Sequence, residues 1–202
     1  MFKKNKKTDD YASQRERMVS HQIARRGVSD EAVLDAMRNV PRHRFMPESM
    51  HGQAYSDGPL PIGEGQTISQ PYIVAYMTEM LQPKPSDIVL EVGTGSGYQA
   101  AVLAEIVDHV YSLEIIPELA ERSRKLLAEL GYDNVTVRTG SGYDGWSDKA
   151  PFDKAIVTAA APEIPDVLVD QLKIGGRLVI PVGVAYQSLF LVTRAEQGVQ
   201  RH

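Results

Sequence analysis

Residues 88–97 read Ile88-Val89-Leu90-Glu91-Val92-Gly93-Thr94-Gly95-Ser96-Gly97. The apolar, β-branched first half predicts a buried strand, and the three glycines predict a tight turn. A helix over Gln99–Val107 follows. Strand, glycine turn and helix together form the opening unit of an open α/β sheet, whose ligands sit at the carboxyl ends of the strands.

The pattern continues downstream. Strands are expected at Val110–Glu114, Val135–Arg138, Phe152–Thr158, Arg177–Pro181 and Leu189–Thr193. Between them lie a helix at Pro117–Leu130, closed by Gly131, and a short helix at Asp166–Leu172, ended by Gly175-Gly176. Strands separated by helices imply right-handed crossovers and a parallel sheet. Only Val182–Ser188 joins the last two strands, too short for a crossover, so the final strand should run antiparallel. The expected fold class is α/β: a doubly wound, mostly parallel sheet with one antiparallel strand and an N-terminal helical extension.

Upstream, Asp9–Arg26 is polar and permits helix, with Gly27 as its stop. Ser29 is a candidate cap for a helix burying Val33, Leu34 and Met37, and Pro41 ends that helix. Loops and short strands are expected from Pro41 to Gly65, then a helix over Pro71–Leu81. Gln82-Pro83-Lys84-Pro85 forms a rigid junction. The chain thus divides into an N-terminal helical and loop segment, residues 1–82, and an α/β domain, residues 83–202, within one continuous structural unit.

Composition narrows the function. The 202 residues are 43 % hydrophobic, with a net charge of −4. Four of the 22 basic residues are Lys3, Lys4, Lys6 and Lys7, read as a solvated tail. The remaining body is acidic, which disfavours non-specific binding of nucleic acid or of anionic membranes. The absence of cysteine excludes disulfides, thiol nucleophiles and thiolate metal sites. No apolar run approaches the ~20 residues that span a bilayer, and the lysine-rich start lacks the apolar stretch of a secretory signal. A cytoplasmic location is the expectation. His21, His51, His109 and His202 show no metal-ligand spacing.

Two features suggest an adenosine cofactor. Gly93, Gly95 and Gly97 let the backbone approach a ligand, although a ligand-free turn explains them equally well. Glu114 ends the next strand, where a carboxylate can accept hydrogen bonds from both ribose hydroxyls; its alternative role is a solvated strand end. A dinucleotide site wants its third glycine at position 98, which is Tyr98. Glu91 beside the loop would repel a pyrophosphate and could orient a backbone or ammonium group instead. The spacing therefore favours S-adenosylmethionine over NAD. Ser69, two positions before Pro71, reads as a cap of the helix entering there.

The stretch Val89–Ala104 resembles the cofactor loop of the protein-L-isoaspartate (D-aspartate) O-methyltransferase family. Gly63–Pro71, Pro151–Pro162, Gly175–Gly183 and Pro41–Phe45 resemble the same family, and the similarity runs from about residue 11 to 200. Thr67-Ile68-Ser69-Gln70-Pro71 is its most specific part. The resemblance implies an enzyme that moves the methyl of S-adenosylmethionine to the free carboxylate of L-isoaspartyl residues in damaged proteins and peptides. The ester then collapses to a succinimide, which begins repair. It implies that Ser69 is the catalytic position, and that Thr67, Ile68, Ser69, Glu91, Gly93, Thr94, Gly95, Ser96, Gly97, Glu114, Gly140, Ser141 and Gly142 form the cofactor site, with no metal. His43 is expected to be structural; Arg42 and Arg44 could attract an acidic substrate, but exposed arginines usually just solvate a turn, and that is the expectation here. Tyr143 and Trp146 are expected to pack their loop.

Two departures stand out. The family has Gly-Asp-Gly where this chain has Gly140-Ser141-Gly142, and a neutral serine should hold the adenine amino group more weakly than a carboxylate. Relatives also carry a further apolar strand beyond Arg201-His202, so an unpaired sheet edge is expected here. These departures leave open a methyltransferase of another substrate, or an adenosyl-binding module with weak catalysis. The sequence carries no signature of oligomeric state.

Overall fold

The computed structural model describes residues 6–184 and 186–201. Seven strands form one sheet in the order β5-β4-β3-β6-β7-β8-β9: β3 (Ile88–Val92), β4 (His109–Glu114), β5 (Val135–Thr139), β6 (Phe152–Val157), β7 (Leu172–Val182), β8 (Ser188–Arg194) and β9 (Val199–Arg201). β3 to β7 are mutually parallel, and β8 pairs antiparallel with β7 in a register running from Arg177↔Thr193 to Val182↔Ser188. The chain adds β4 and β5 on one side of β3 and then returns to lay β6 on the other. This switch in direction opens a crevice at the strands' carboxyl ends.

Helices α4 (Tyr98–Ala104), α5 (Pro117–Glu129) and α6 (Asp166–Asp170) connect these strands. Before them come α1 (Lys6–Arg17), a π-helical turn (Met18–Ile23), α2 (Glu31–Asn39), the hairpin β1 (Leu60–Gly63) and β2 (Gln66–Ile68), and α3 (Pro71–Leu81). One apolar core joins both segments: Met18, Ile23, Val33 and Met37 of the N-terminal part are buried together with Val89, Ala101, Leu103 and Val179. Burial of this kind contributes roughly 1.5–3 kcal/mol for each large apolar side chain.

Several local expectations change. Lys6 and Lys7 begin α1 rather than belonging to a tail, whereas Lys3 and Lys4 lie outside the described residues, as does His202. Asp30, not Ser29, caps α2, its Oδ1 accepting the Val33 N–H at 3.1 Å. Gly175-Gly176 does not end α6 but lies within β7, where the register with β6 shifts. A Cβ on Gly176 would stand 2.8 Å from the Lys173 carbonyl oxygen, so only glycine fits this bulge. The outer edge of β8 is met by β9, which the apolar pattern did not reveal because all three of its residues are exposed.

Candidate functional site

A cleft of about 280 Å³ lies at the carboxyl ends of β3 and β4. Two distant parts of the chain close it. Thr67, Ile68 and Ser69, at the end of the β1–β2 hairpin, contribute one part; Gly93–Ser96, Glu114 and Gly140–Gly142 contribute the other.

Backbone bonds hold the glycine turn. The N–H groups of Gly93 and Thr94 both donate to the Leu113 carbonyl, at 2.7 and 3.1 Å, tying the turn to β4. Gly93 has φ +98°, and a Cβ there would lie 2.5 Å from Thr158 Oγ1. Both conformation and space therefore demand glycine. Glu114 is buried at the cleft, where its Oε2 accepts the Gly95 N–H at 2.7 Å and its Oε1 accepts the Ile116 N–H at 3.0 Å. Each carboxylate oxygen keeps a further lone pair, as acceptance from two ribose hydroxyls requires. This set of acceptors therefore fits the ribose of an adenosine group.

Two expected cofactor residues do not reach the cleft. Glu91 is fully buried in β3; it accepts a hydrogen bond from the Ser112 hydroxyl, which bonds Thr94 Oγ1 at 2.5 Å. Burial pushes the Glu91 carboxyl up to about 8, against the Ser112 bond and with a smaller push from Glu114. A group so inclined to be neutral cannot repel a pyrophosphate, so that reason for disfavouring NAD is withdrawn. Glu91 instead supports the loop through Ser112 and Thr94. Gly97 is the other correction. It caps α4 with φ +86°, and its missing Cβ would stand 3.3 Å from Leu127 Cδ1 and Ser123 Cβ. Its role is to let α4 and α5 pack closely.

Ser69 lines the cleft, but it does not cap α3: Gln70 occupies the cap position, and no side chain bonds there. Ser141 Oγ accepts the Tyr143 N–H at 3.2 Å. Tyr143 does not pack its loop but stands 61 % exposed beside the cleft, while Trp146 is buried under Arg138, whose guanidinium carbon lies 4.0 Å from the ring centroid. His43 stacks on Tyr11, with centroids 4.1 Å apart, and its Nδ1 lies 2.8 Å from the Tyr55 hydroxyl. Burial, then His51 and the nearby arginines, lowers its pKa to about 4. Arg44 pairs with Glu129 at 2.6 Å, whereas Arg42 is entirely buried and solvates nothing.

The cleft also includes Ile115 and the turn Thr158–Ala161, which were not anticipated as site residues. Ile115 is 69 % exposed directly after Glu114. An isoleucine placed at a strand end beside a carboxylate was the available signal.

Residues 13–201 match the family protein-L-isoaspartate(D-aspartate) O-methyltransferase. The chain belongs to that family. A protein-L-isoaspartate O-methyltransferase from Opitutus terrae is 58 % identical over 190 residues, covering 94 % of this chain and 82 % of the relative. One from Synechococcus sp. is 54 % identical over 199 residues, covering 95 % and 82 %. A solved Plasmodium falciparum structure, described as a beta-aspartate methyltransferase in complex with S-adenosyl-L-homocysteine, superposes with a TM-score of 0.78. It is 28 % identical and covers 93 % of this chain and 92 % of that one.

Proposed function

We propose that this chain begins the repair of damaged proteins by transferring a methyl group from S-adenosylmethionine to the free carboxylate of L-isoaspartyl residues. The cofactor, when bound, supplies a methyl group on a positively charged sulfur. A carboxylate has a pKa near ~4 and is already ionised at neutral pH, so no general base is needed. The chain's task is alignment of oxygen, carbon and sulfur, an effect that can supply up to roughly 7–11 kcal/mol.

Within that reading, Glu114 and the backbone of Gly93–Ser96 hold the adenosine end, and Ser141 faces its base. The Ser69 hydroxyl, released from helix capping, donates to one carboxylate oxygen and leaves the other directed at the methyl. The ester that forms collapses to a succinimide, which can reopen as ordinary aspartate. The observation carrying this reading is that the Thr67–Ser69 segment and the glycine turn line a single cleft. The acidic body argues for protein rather than nucleic acid as partner. Among the described residues no helix is long and apolar enough to cross a membrane. We place its action in the cytoplasm.

The test uses labelled S-adenosylmethionine and two peptides differing only in an isoaspartyl or aspartyl linkage. Base-labile methyl ester on the isoaspartyl peptide alone is expected. Ester on both, or on neither while the cofactor binds, would overturn the assignment of substrate.

A further inference from the structure

Arg42 sits in the 3₁₀ turn Arg42–Phe45, where a proline- and arginine-rich sequence would normally face water. Instead it is the largest fully buried side chain of the molecule's described residues. Its Nε donates to the Ala54 carbonyl at 2.8 Å, and its Nη2 donates to the Ser69 carbonyl at 2.8 Å. Its guanidinium carbon lies 4.8 Å from the ring centroid of Tyr98, the first residue of α4 after the glycine turn. Its Nη1 has no hydrogen-bond partner.

No carboxylate among the described residues pairs with it: the groups acting on its charge are the hydroxyl-bearing rings of Tyr98 and Tyr55. Desolvation accordingly lowers its pKa from the ordinary arginine value. A buried arginine is usually paired with an acid, because an isolated buried charge is costly. A structural arginine needing only to tie two carbonyls together would be cheaper with such a partner nearby. Here the cation has two carbonyls and a tyrosine ring but no carboxylate, and it lies one hydrogen bond from the backbone of Ser69.

We propose that Arg42 is a positioning residue for the acceptor carboxylate: it fixes the Ser69 turn against the cleft through the Ser69 carbonyl, and its positive charge, which no carboxylate among the described residues pairs, favours an anionic group at Ser69. The proposal rests on the reading of Ser69 given above. It assigns discrimination for an anionic acceptor to a residue outside the cleft, acting through Ser69.

Arg42→Gln keeps a donor and loses the charge; Arg42→Lys keeps the charge and loses the fork. Turnover of the isoaspartyl peptide should fall about 100-fold in the Gln variant, as expected for a misplaced reacting group, and less in the Lys variant. S-adenosylhomocysteine affinity should stay within about twofold in both. In a Ser69→Ala background the further loss from Arg42→Gln should shrink to under about threefold, since residues acting as a unit are not additive. Retained turnover, equal loss of cofactor and peptide binding, or full additivity would overturn the proposal. Should either variant fail to fold, the wild-type protein answers by itself. The Arg42 Nε–H resonance of the S-adenosylhomocysteine complex should shift on adding isoaspartyl peptide and not on adding its aspartyl counterpart. A resonance that stays still, or that moves equally with both peptides, contradicts the proposal. A wild-type protein that forms no ester would instead refute the assigned substrate, a result independent of whether the resonance moves.

Discussion

The two sides of the cleft are built by opposite means. The glycine turn is held by backbone bonds to the neighbouring strand, Gly93 and Thr94 both donating to Leu113, and by carboxylates close in the sheet. The Ser69 side is held by long-range bonds from side chain to backbone: Arg42 reaches Ser69, and Arg122 Nη2 reaches the Ile62 carbonyl of the hairpin at 2.6 Å. Under the proposed function, the site for a constant cofactor would be made from the rigid sheet, and that for a variable protein substrate from an added hairpin braced by arginines. The difference predicts that damage to one side spares the other.

The largest effect should come from Ser69→Ala. Removing a donor that steers a reacting oxygen costs about 100-fold in turnover or more, with cofactor affinity within about twofold. Steady-state kinetics together with calorimetry would show the split; matched losses in both would erase the contrast between the two sides. Next is Gly93→Ala, which forces a Cβ against Thr158 in a left-handed conformation. It should weaken S-adenosylhomocysteine roughly tenfold and cost about 1–3 kcal/mol of stability. Affinity and melting temperature unchanged by this substitution would show the turn to be less constrained than its geometry implies.

Glu91 provides a subtler probe of the loop's support. Its folded pKa of about 8 lies above the ordinary value of 4.5, so the folded state holds a proton that the unfolded state releases between these values. Stability from this group is therefore complete below about pH 4.5 and declines as pH rises toward 8, by at most about 1.4 kcal/mol per pH unit. Glu91→Gln should flatten that slope in denaturant titrations across pH 5–8. A slope equal to the wild type's would assign the pH dependence elsewhere. The smallest effect is Ser141→Asp. Replacing a neutral acceptor by a charged one should tighten S-adenosylhomocysteine roughly fivefold, and calorimetry showing equal or weaker binding would contradict the role given to position 141.

How far the sequence could be read follows the same division. The parallel sheet was legible because β3, β4 and β6 are apolar runs punctuated by glycine and proline, and the antiparallel turn of β8 followed from loop length alone. Glu91 and Gly97 were misplaced for a common reason. Proximity to a motif says nothing about which way a residue faces. A one-residue difference along a strand changes the face, and Gly97, at the start of α4, turns toward α5 rather than the cleft. Arg42 was misread because its burial is decided by Ala54, Ser69 and Tyr98, residues 12 to 56 positions away. Ser69 was read from local chemistry as a cap, yet the cap position falls one residue later, at Gln70, and the helix begins at Pro71. Tertiary bonds of this kind leave no local periodicity.

If each side of the cleft holds its own ligand, the two can be lost separately. The direct measurement is calorimetric titration of Ser69→Ala and Gly93→Ala, first with S-adenosylhomocysteine and then, at saturating S-adenosylhomocysteine, with the isoaspartyl peptide. Ser69→Ala should bind S-adenosylhomocysteine as the wild type does and lose the peptide. Gly93→Ala should bind S-adenosylhomocysteine weakly and, once saturated, take the peptide normally. Loss of both ligands in either variant would contradict it.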